Sequence, residues 1–295
     1  MSGQSKEPGQ TITLPDGRQL GYLVVGEGKP VFWFHGMPSS RVQVLCLEEM
    51  AKSWHLQIVG VDRPGFGLST YVPKRRFRDV AADIRLLADY LQINQLALAG
   101  VSGGGPHVAT CAALLRERTT KAVVLCGLSL PLDTSGMHQT GRLMFGLTTV
   151  PIIGTWVQKI FRDTYLKRAM NPNSEVGRRL AKDLPDDDAR FYLSPSDGRD
   201  RLLRANIEAY HQGPDTTKAF MQEVKSWKKG WDVDLSQIPP GLVHIWHGTA
   251  DTSAPIRNAY KNAEAIPGSH LKMFQNEGHL FFMNHLEELG ELLSS

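Results

Sequence analysis

The 295-residue chain has few cysteines, little net charge and no long apolar run. Cys46, Cys111 and Cys126 are far apart and odd in number, so they predict buried free thiols rather than a disulfide framework or a zinc site. A formal charge of +3 argues against a nucleic-acid-binding protein. No segment approaches the roughly 18 apolar residues of a membrane span, and the first ten residues are polar. These absences favour a soluble cytoplasmic protein.

Apolar strand-like segments alternate with helical segments along most of the chain. Thr11–Leu14 and Gln19–Val25 flank a Pro-Asp-Gly-Arg turn and predict a hairpin. Strands are also predicted at Val31–Phe34, Leu56–Val61, Leu96–Val101, Ala122–Cys126, Leu242–Trp246 and Leu271–Phe274, with helices at Arg41–His55, His107–Arg116, Ile256–Ala265 and from Leu280 onward. This alternation predicts a mostly parallel sheet with helices on both faces. Catalytic residues are then expected in loops at the carboxyl ends of strands.

The alternation is interrupted between residues 129 and 228, where only helical patterns occur. We therefore predict a sheet-forming core in two parts, residues 1–128 and 229–295, and a helical cap at residues 129–228. Ile153–Phe161 carries a broad apolar stripe at helical spacing. The stripe favours a cap helix packed on the core, and a wall of the substrate site or a homodimer surface is the alternative.

Gly100-Val101-Ser102-Gly103-Gly104 lies where a strand ends and a helix begins. A serine flanked by small residues two positions away is typical of a nucleophile elbow, because side chains at those positions would collide with the strand and the helix. The turn would hold the Ser102 hydroxyl above the sheet. The helix that follows would favour developing negative charge there.

A serine hydroxyl needs a base, and the base needs an orienting acid. Among ten histidines, His279 lies in the loop between the last strand and the last helix, at the expected edge of the sheet. Asp251 follows the strand that ends His247-Gly248 and is the predicted acid, with Asp133 as the competing choice. The predicted catalytic residues are therefore Ser102, Asp251 and His279.

Two backbone amides are expected to bind an oxyanion. Gly103 directly follows the nucleophile, and Met37 lies in the loop His35-Gly36-Met37-Pro38 after a buried strand. We expect His35 mainly to shape this turn through backbone hydrogen bonds.

These motifs resemble the α/β-hydrolase superfamily over nearly the whole chain. They are His35-Gly36-Met37-Pro38, Asp62-Arg63-Pro64-Gly65-Phe66-Gly67-Leu68-Ser69, the Ser102 turn, His247-Gly248-Thr249-Ala250-Asp251 and Gly278-His279. The resemblance implies an eight-stranded sheet, a cap after the sixth strand, the triad named above and no cofactor or metal. Ser102 differs from the aspartate that epoxide hydrolases and haloalkane dehalogenases of this fold carry at the elbow.

The sequence thus predicts a serine hydrolase that cleaves an ester, thioester or related acyl bond. The alternative is a non-hydrolytic protein of this fold, such as a carbon–carbon lyase, a cyclase or a ligand receptor. The expected partner is a small to medium hydrophobic molecule, with a homodimer through the cap as an alternative use of that surface. The predicted pocket residues are His35, Trp156, Phe161 and Tyr210.

Overall fold

The structure is a computed structural model and describes residues 8–295. One sheet contains β1 (Gln10–Thr13), β2 (Gln19–Val25), β3 (Lys29–Phe34), β4 (Leu56–Val61), β5 (Leu96–Val101), β6 (Thr119–Leu125), β7 (Val243–Gly248) and β8 (His270–Phe274). The strand order is β1-β2-β4-β3-β5-β6-β7-β8, and β2 is antiparallel to both of its neighbours while all other pairs are parallel. The predicted hairpin and mostly parallel sheet are confirmed.

Five helices accompany the strands: α1 (Glu48–Ser53), α2 (Phe77–Tyr90), α3 (Gly105–Leu114), α10 (Arg257–Ala265) and α11 (Leu286–Ser294). The prediction of one helix over residues 41–55 was wrong, because Arg41–Leu47 forms a 3-10 segment before α1. The buried Asp62 carboxylate accepts the Arg41 N–H at 2.6 Å, and this tertiary contact helps to set the tighter turn. The last helix likewise begins later than predicted, after a short 3-10 turn at Phe281–Asn284.

The strands at the centre of the sheet are buried on both faces. In β3, Phe32 and Phe34 pack in one apolar cluster, and Val31 and Trp33 pack in another on the opposite face. All four side chains are fully buried, and burial of each contributes about 1.5–3 kcal/mol. This rigid centre carries the loops that follow β3 and β5.

The chain between β6 and β7 forms six helices. They are α4 (Gln139–Leu147), α5 (Ile153–Met170), α6 (Glu175–Ala181), α7 (Asp186–Leu193), α8 (Asp197–Glu208) and α9 (Pro214–Lys229). Buried ion pairs join them to the segments around the sheet, with Arg41 to Glu208 at 2.9 Å and Arg63 to Glu223 at 2.7 Å. The division into core and cap stays a prediction. Across residues 8–295, no helix has the length and apolar character needed to cross a membrane.

Candidate active site

Ser102 lies on a sharp turn between β5 and α3. Its φ is +57°, in the left-handed region that a non-glycine residue rarely adopts. A Cβ at Gly100 would lie 2.9 Å from the Phe34 Cβ, and one at Gly104 would lie 2.2 Å from the Phe34 carbonyl oxygen. The two glycines therefore permit the turn that places Ser102 at the carboxyl end of β5.

His279 and Asp251 form a hydrogen-bonded pair at the ends of the two neighbouring strands. The His279 Nδ1 is 2.7 Å from the Asp251 Oδ2, and the Asp251 side chain is fully buried. The other oxygen of Asp251 accepts the backbone N–H groups of Ser253 and Ala254 at 2.7 and 2.8 Å. The carboxylate is thus held in place by its own loop and can orient the imidazole.

The electrostatics of this pair favour a negative carboxylate beside a basic imidazole. Burial works against the charge of Asp251, but the neighbouring imidazole and the Ala254 N–H lower the pKa of its carboxyl. Burial also opposes a charged His279, but the attraction of the Asp251 carboxylate is stronger than this effect of burial. The pKa of His279 is therefore raised well above its ordinary value. The Asp251 carboxylate therefore favours the protonated form of the His279 imidazole.

Ser102 and His279 line one cavity of about 130 Å³. Within residues 8–295, no hydrogen bond joins the Ser102 Oγ to the His279 Nε2. Most of the remaining lining is apolar and comes from the sheet edge and from helices α4, α5 and α9, including Leu128, Met144, Phe145, Phe161 and Trp227. The lining also includes the charged residues Arg168, Asp183 and Asp188.

The loop after β3 lies directly over the Ser102 turn. Met37 lines the cavity, and a Cβ at Gly103 would lie 3.5 Å from the Met37 Cβ. The two predicted amide donors are therefore on adjacent backbone segments. His35 is fully buried and its Nδ1 is 2.8 Å from the Gly36 carbonyl oxygen, so it shapes this loop. Burial and the nearby Arg63 cation lower the pKa of His35 well below its ordinary value.

Of the four predicted pocket residues, only Phe161 lines the cavity. Trp156 is 64% exposed on the outer face of α5. The apolar side chains of this helix are divided between the face that packs on the protein and the face that is exposed to solvent. Tyr210 is buried in the apolar cluster of the inserted helices, and His35 lies beneath the loop after β3. The competing acid, Asp133, lies elsewhere and pairs with Lys261 at 2.6 Å.

Two acidic residues at the start of α7 contact the loop that carries His279. Asp188 is 1% exposed, and its two oxygens accept the backbone N–H groups of His279 and Leu280, both at 2.7 Å. Asp187 accepts the Gly278 N–H, also at 2.7 Å. Burial raises the pKa of Asp188 to about 6 despite these bonds. In the sequence, an acidic run such as Asp186–Asp188 is typical of a helix N-terminus, and no local signal indicates its contact with the His279 loop.

Cys126, Asp251 and His279 form a compact set of potential ligand atoms. These atoms lie within 4.8 Å of one another, and the Cys126 thiol contacts the His279 carbonyl oxygen at 3.2 Å. Each oxygen of Asp251 already has a hydrogen-bond partner, and burial raises the pKa of the Cys126 thiol. The three residues are therefore better described as the Asp251–His279 hydrogen-bonded pair beside a neutral Cys126 thiol than as a metal centre. All three cysteines are free.

Comparison with known proteins places these features in a family. The model of the alpha/beta hydrolase fold matches residues 29–286. The uncharacterized hydrolase YcgS of Bacillus subtilis is 25% identical over 96% of each chain, and a non-heme haloperoxidase of Rhodococcus erythropolis is 25% identical over 91% of this chain and 92% of its own. An esterase of Exiguobacterium antarcticum superposes with a TM-score of 0.66 at 19% identity, covering 97% of this chain and 98% of its own. The chain belongs to the alpha/beta hydrolase fold family.

Proposed function

We propose that this protein is a serine hydrolase that cleaves an ester, thioester or related acyl bond through an acyl-enzyme on Ser102. The observation that carries the proposal is the His279–Asp251 hydrogen bond at the rim of the cavity that contains the strained Ser102 turn. Nucleophile, base and orienting acid follow three different strands of one sheet. The name of one relative, a hydrolase, agrees with this chemistry.

The proposed reaction has two halves. His279 takes the proton of the Ser102 hydroxyl as its oxygen attacks the substrate carbonyl, and Asp251 stabilises the imidazolium. The amides of Met37 and Gly103 bind the negative oxygen of the tetrahedral intermediate, and His279 then protonates the leaving group. A water molecule, deprotonated by His279, attacks the acyl-enzyme and releases the acid and free Ser102. Residues 129–228 act in this proposal as a cap that shields the acyl-enzyme.

A fluorophosphonate probe tests the nucleophile directly. We expect wild-type protein to be labelled on Ser102 and the Ser102→Ala variant to remain unlabelled, with the labelled peptide identified by mass spectrometry. Ser129, which is buried and bonded to Asn258 at 2.9 Å, is a matched control, and Ser129→Ala should still be labelled. Folded wild-type protein that takes up no probe would contradict the proposal.

The variants also separate hydrolysis from non-covalent chemistry. Hydrolysis of a simple ester should be lost to a similar extent in Ser102→Ala and His279→Ala. A reaction that survives in Ser102→Ala but not in His279→Ala would show that the imidazole acts without a serine nucleophile.

A further inference from the structure

A buried arginine lies in the active-site cavity without a counter-ion. Arg168, in the last turn of α5, is 5% exposed, and its side chain lines the same cavity as Ser102 and His279. Within residues 8–295, its guanidinium forms no ion pair and no hydrogen bond, and its Nε is fully enclosed without an acceptor. A buried charge of this kind is unusual, because buried cations are normally paired.

Two aromatic rings hold the guanidinium in place. Its Cζ lies 4.4 Å from the ring centre of Tyr165 and 4.2 Å from that of Tyr192. These cation–π contacts, together with the negative end of α5, offset part of the cost of removing the cation from water. Ring contacts do not provide acceptors for the guanidinium N–H groups, which point outward in its plane. Arg168, which lines the cavity, therefore keeps N–H donors that no acceptor of the protein occupies.

The acidic residues that line the cavity have other partners. Asp188 accepts the two backbone N–H groups of the His279 loop, and Asp183 accepts the Thr140 hydroxyl at 3.1 Å. Neither forms an ion pair with Arg168. Because these two carboxylates already add negative charge to the lining, a singly charged ligand is favoured over a doubly charged one. A carboxylate has this charge and matches the planar donor fork of arginine.

We infer that Arg168 binds a carboxylate of the substrate, so that the substrate is a half-ester with a carboxylate at one end and the scissile ester at the other. This inference rests on the proposed hydrolase function and narrows its substrate class. The linking segment would be short and apolar, because the cavity is small and Phe161, Phe145 and Trp227 line it. Hydrolysis adds one water across the ester and releases an alcohol and the dicarboxylate, with Arg168 exchanging no proton.

A matched substrate pair tests the inference by kinetics. Monomethyl adipate and methyl hexanoate differ at the far end of the chain, where one has a carboxylate and the other a methyl group, and a pH-stat measures hydrolysis of both. We expect the wild type to prefer the half-ester in kcat/KM. Arg168→Gln should lose about ten- to a hundredfold on the half-ester, mainly through KM, and change little on the neutral ester. Arg168→Lys, which keeps the charge but not the fork, should lose less than Arg168→Gln on the half-ester.

The neutral ester also shows whether the Arg168 variants fold. Lys167→Gln, which removes an exposed charge from the neighbouring position of the same helix, is the control and should behave as wild type. An equal loss on both substrates in Arg168→Gln would assign Arg168 a purely structural role and overturn the inference. A wild type that prefers methyl hexanoate would overturn it as well.

A binding measurement separates this inference from the proposed function. Calorimetry with monomethyl adipate compares Ser102→Ala with the double variant Ser102→Ala/Arg168→Gln. Binding that disappears in the double variant supports the carboxylate site even if the wild type hydrolyses no ester. Equal binding, or no binding, in the two variants would overturn the site even if Ser102 is labelled by the fluorophosphonate.

Discussion

Replacing Asp188 by asparagine should disturb the loop that carries His279 without removing any proposed catalytic side chain. The two oxygens of Asp188 accept the N–H groups of His279 and Leu280, whereas an asparagine has only one acceptor oxygen. Its NH₂ group would face the second N–H and leave that buried donor unsatisfied, at a cost of about 1–3 kcal/mol. We therefore expect Asp188→Asn to lower the free energy of unfolding by about 2 kcal/mol and Tm by about 3 °C.

The same change should reduce turnover. If the loop shifts by about 1 Å, the imidazole is displaced from the Ser102 hydroxyl, and kcat should fall by about a hundredfold. KM for a neutral ester should change little, since the effect acts through the base rather than through substrate contacts. Circular dichroism melting and ester hydrolysis by the same preparation measure the two effects.

Asp186→Asn is the matched control for this prediction. Asp186 is exposed in the first turn of the same helix, so its replacement removes a favourable charge at the helix N-terminus and leaves the loop untouched. It should lower the free energy of unfolding by well under about 1 kcal/mol. If Asp188→Asn melts and turns over as Asp186→Asn does, the contacts to the His279 loop contribute nothing and the reasoning fails.

Two further predictions concern the base and the Ser102 turn. Hydrolysis requires neutral His279, whose pKa is raised, so kcat/KM should increase with pH and reach half its maximum above about pH 6.5. Asp251→Asn removes the carboxylate that raises this pKa, so the midpoint of the pH profile should move to lower pH while kcat falls by about 10⁴-fold. An unchanged midpoint would contradict the pairing of Asp251 with His279. Gly104→Ala should destabilise the protein by about 3 kcal/mol or more in a denaturant titration, because its Cβ would meet the Phe34 carbonyl oxygen. Gly146→Ala in α4 has no such neighbour and should be stabilising by about 0.5–1 kcal/mol, so equal effects of the two changes would refute the steric argument.

The candidate active site was predictable where local backbone geometry demands particular residue types. Gly100 and Gly104 flank Ser102 because no side chain fits at either position, and this requirement is visible in the sequence. His279 and Asp251 were predicted from their places after two strands. Their 2.7 Å contact follows from those strands being adjacent and parallel in the sheet.

The substrate side of the cavity was not predictable in the same way. Trp156 and Phe161 belong to one apolar stripe of α5, yet one is exposed and the other lines the cavity. Helical periodicity gives the relative angle of two side chains but not the direction in which the helix faces the sheet. That direction depends on contacts between helices far apart in the chain.

Local sequence patterns were sufficient to predict the order of strands and helices and to place Ser102, Asp251 and His279 in loops, because turn chemistry and periodicity are local properties. By contrast, the contact of Asp188 with the His279 loop and the enclosure of Arg168 in the cavity without a counter-ion depend on how the helices pack. In the sequence, each is one charged residue among many. Only the packing of the helices between β6 and β7 against the sheet removes these two charges from water and determines their neighbours.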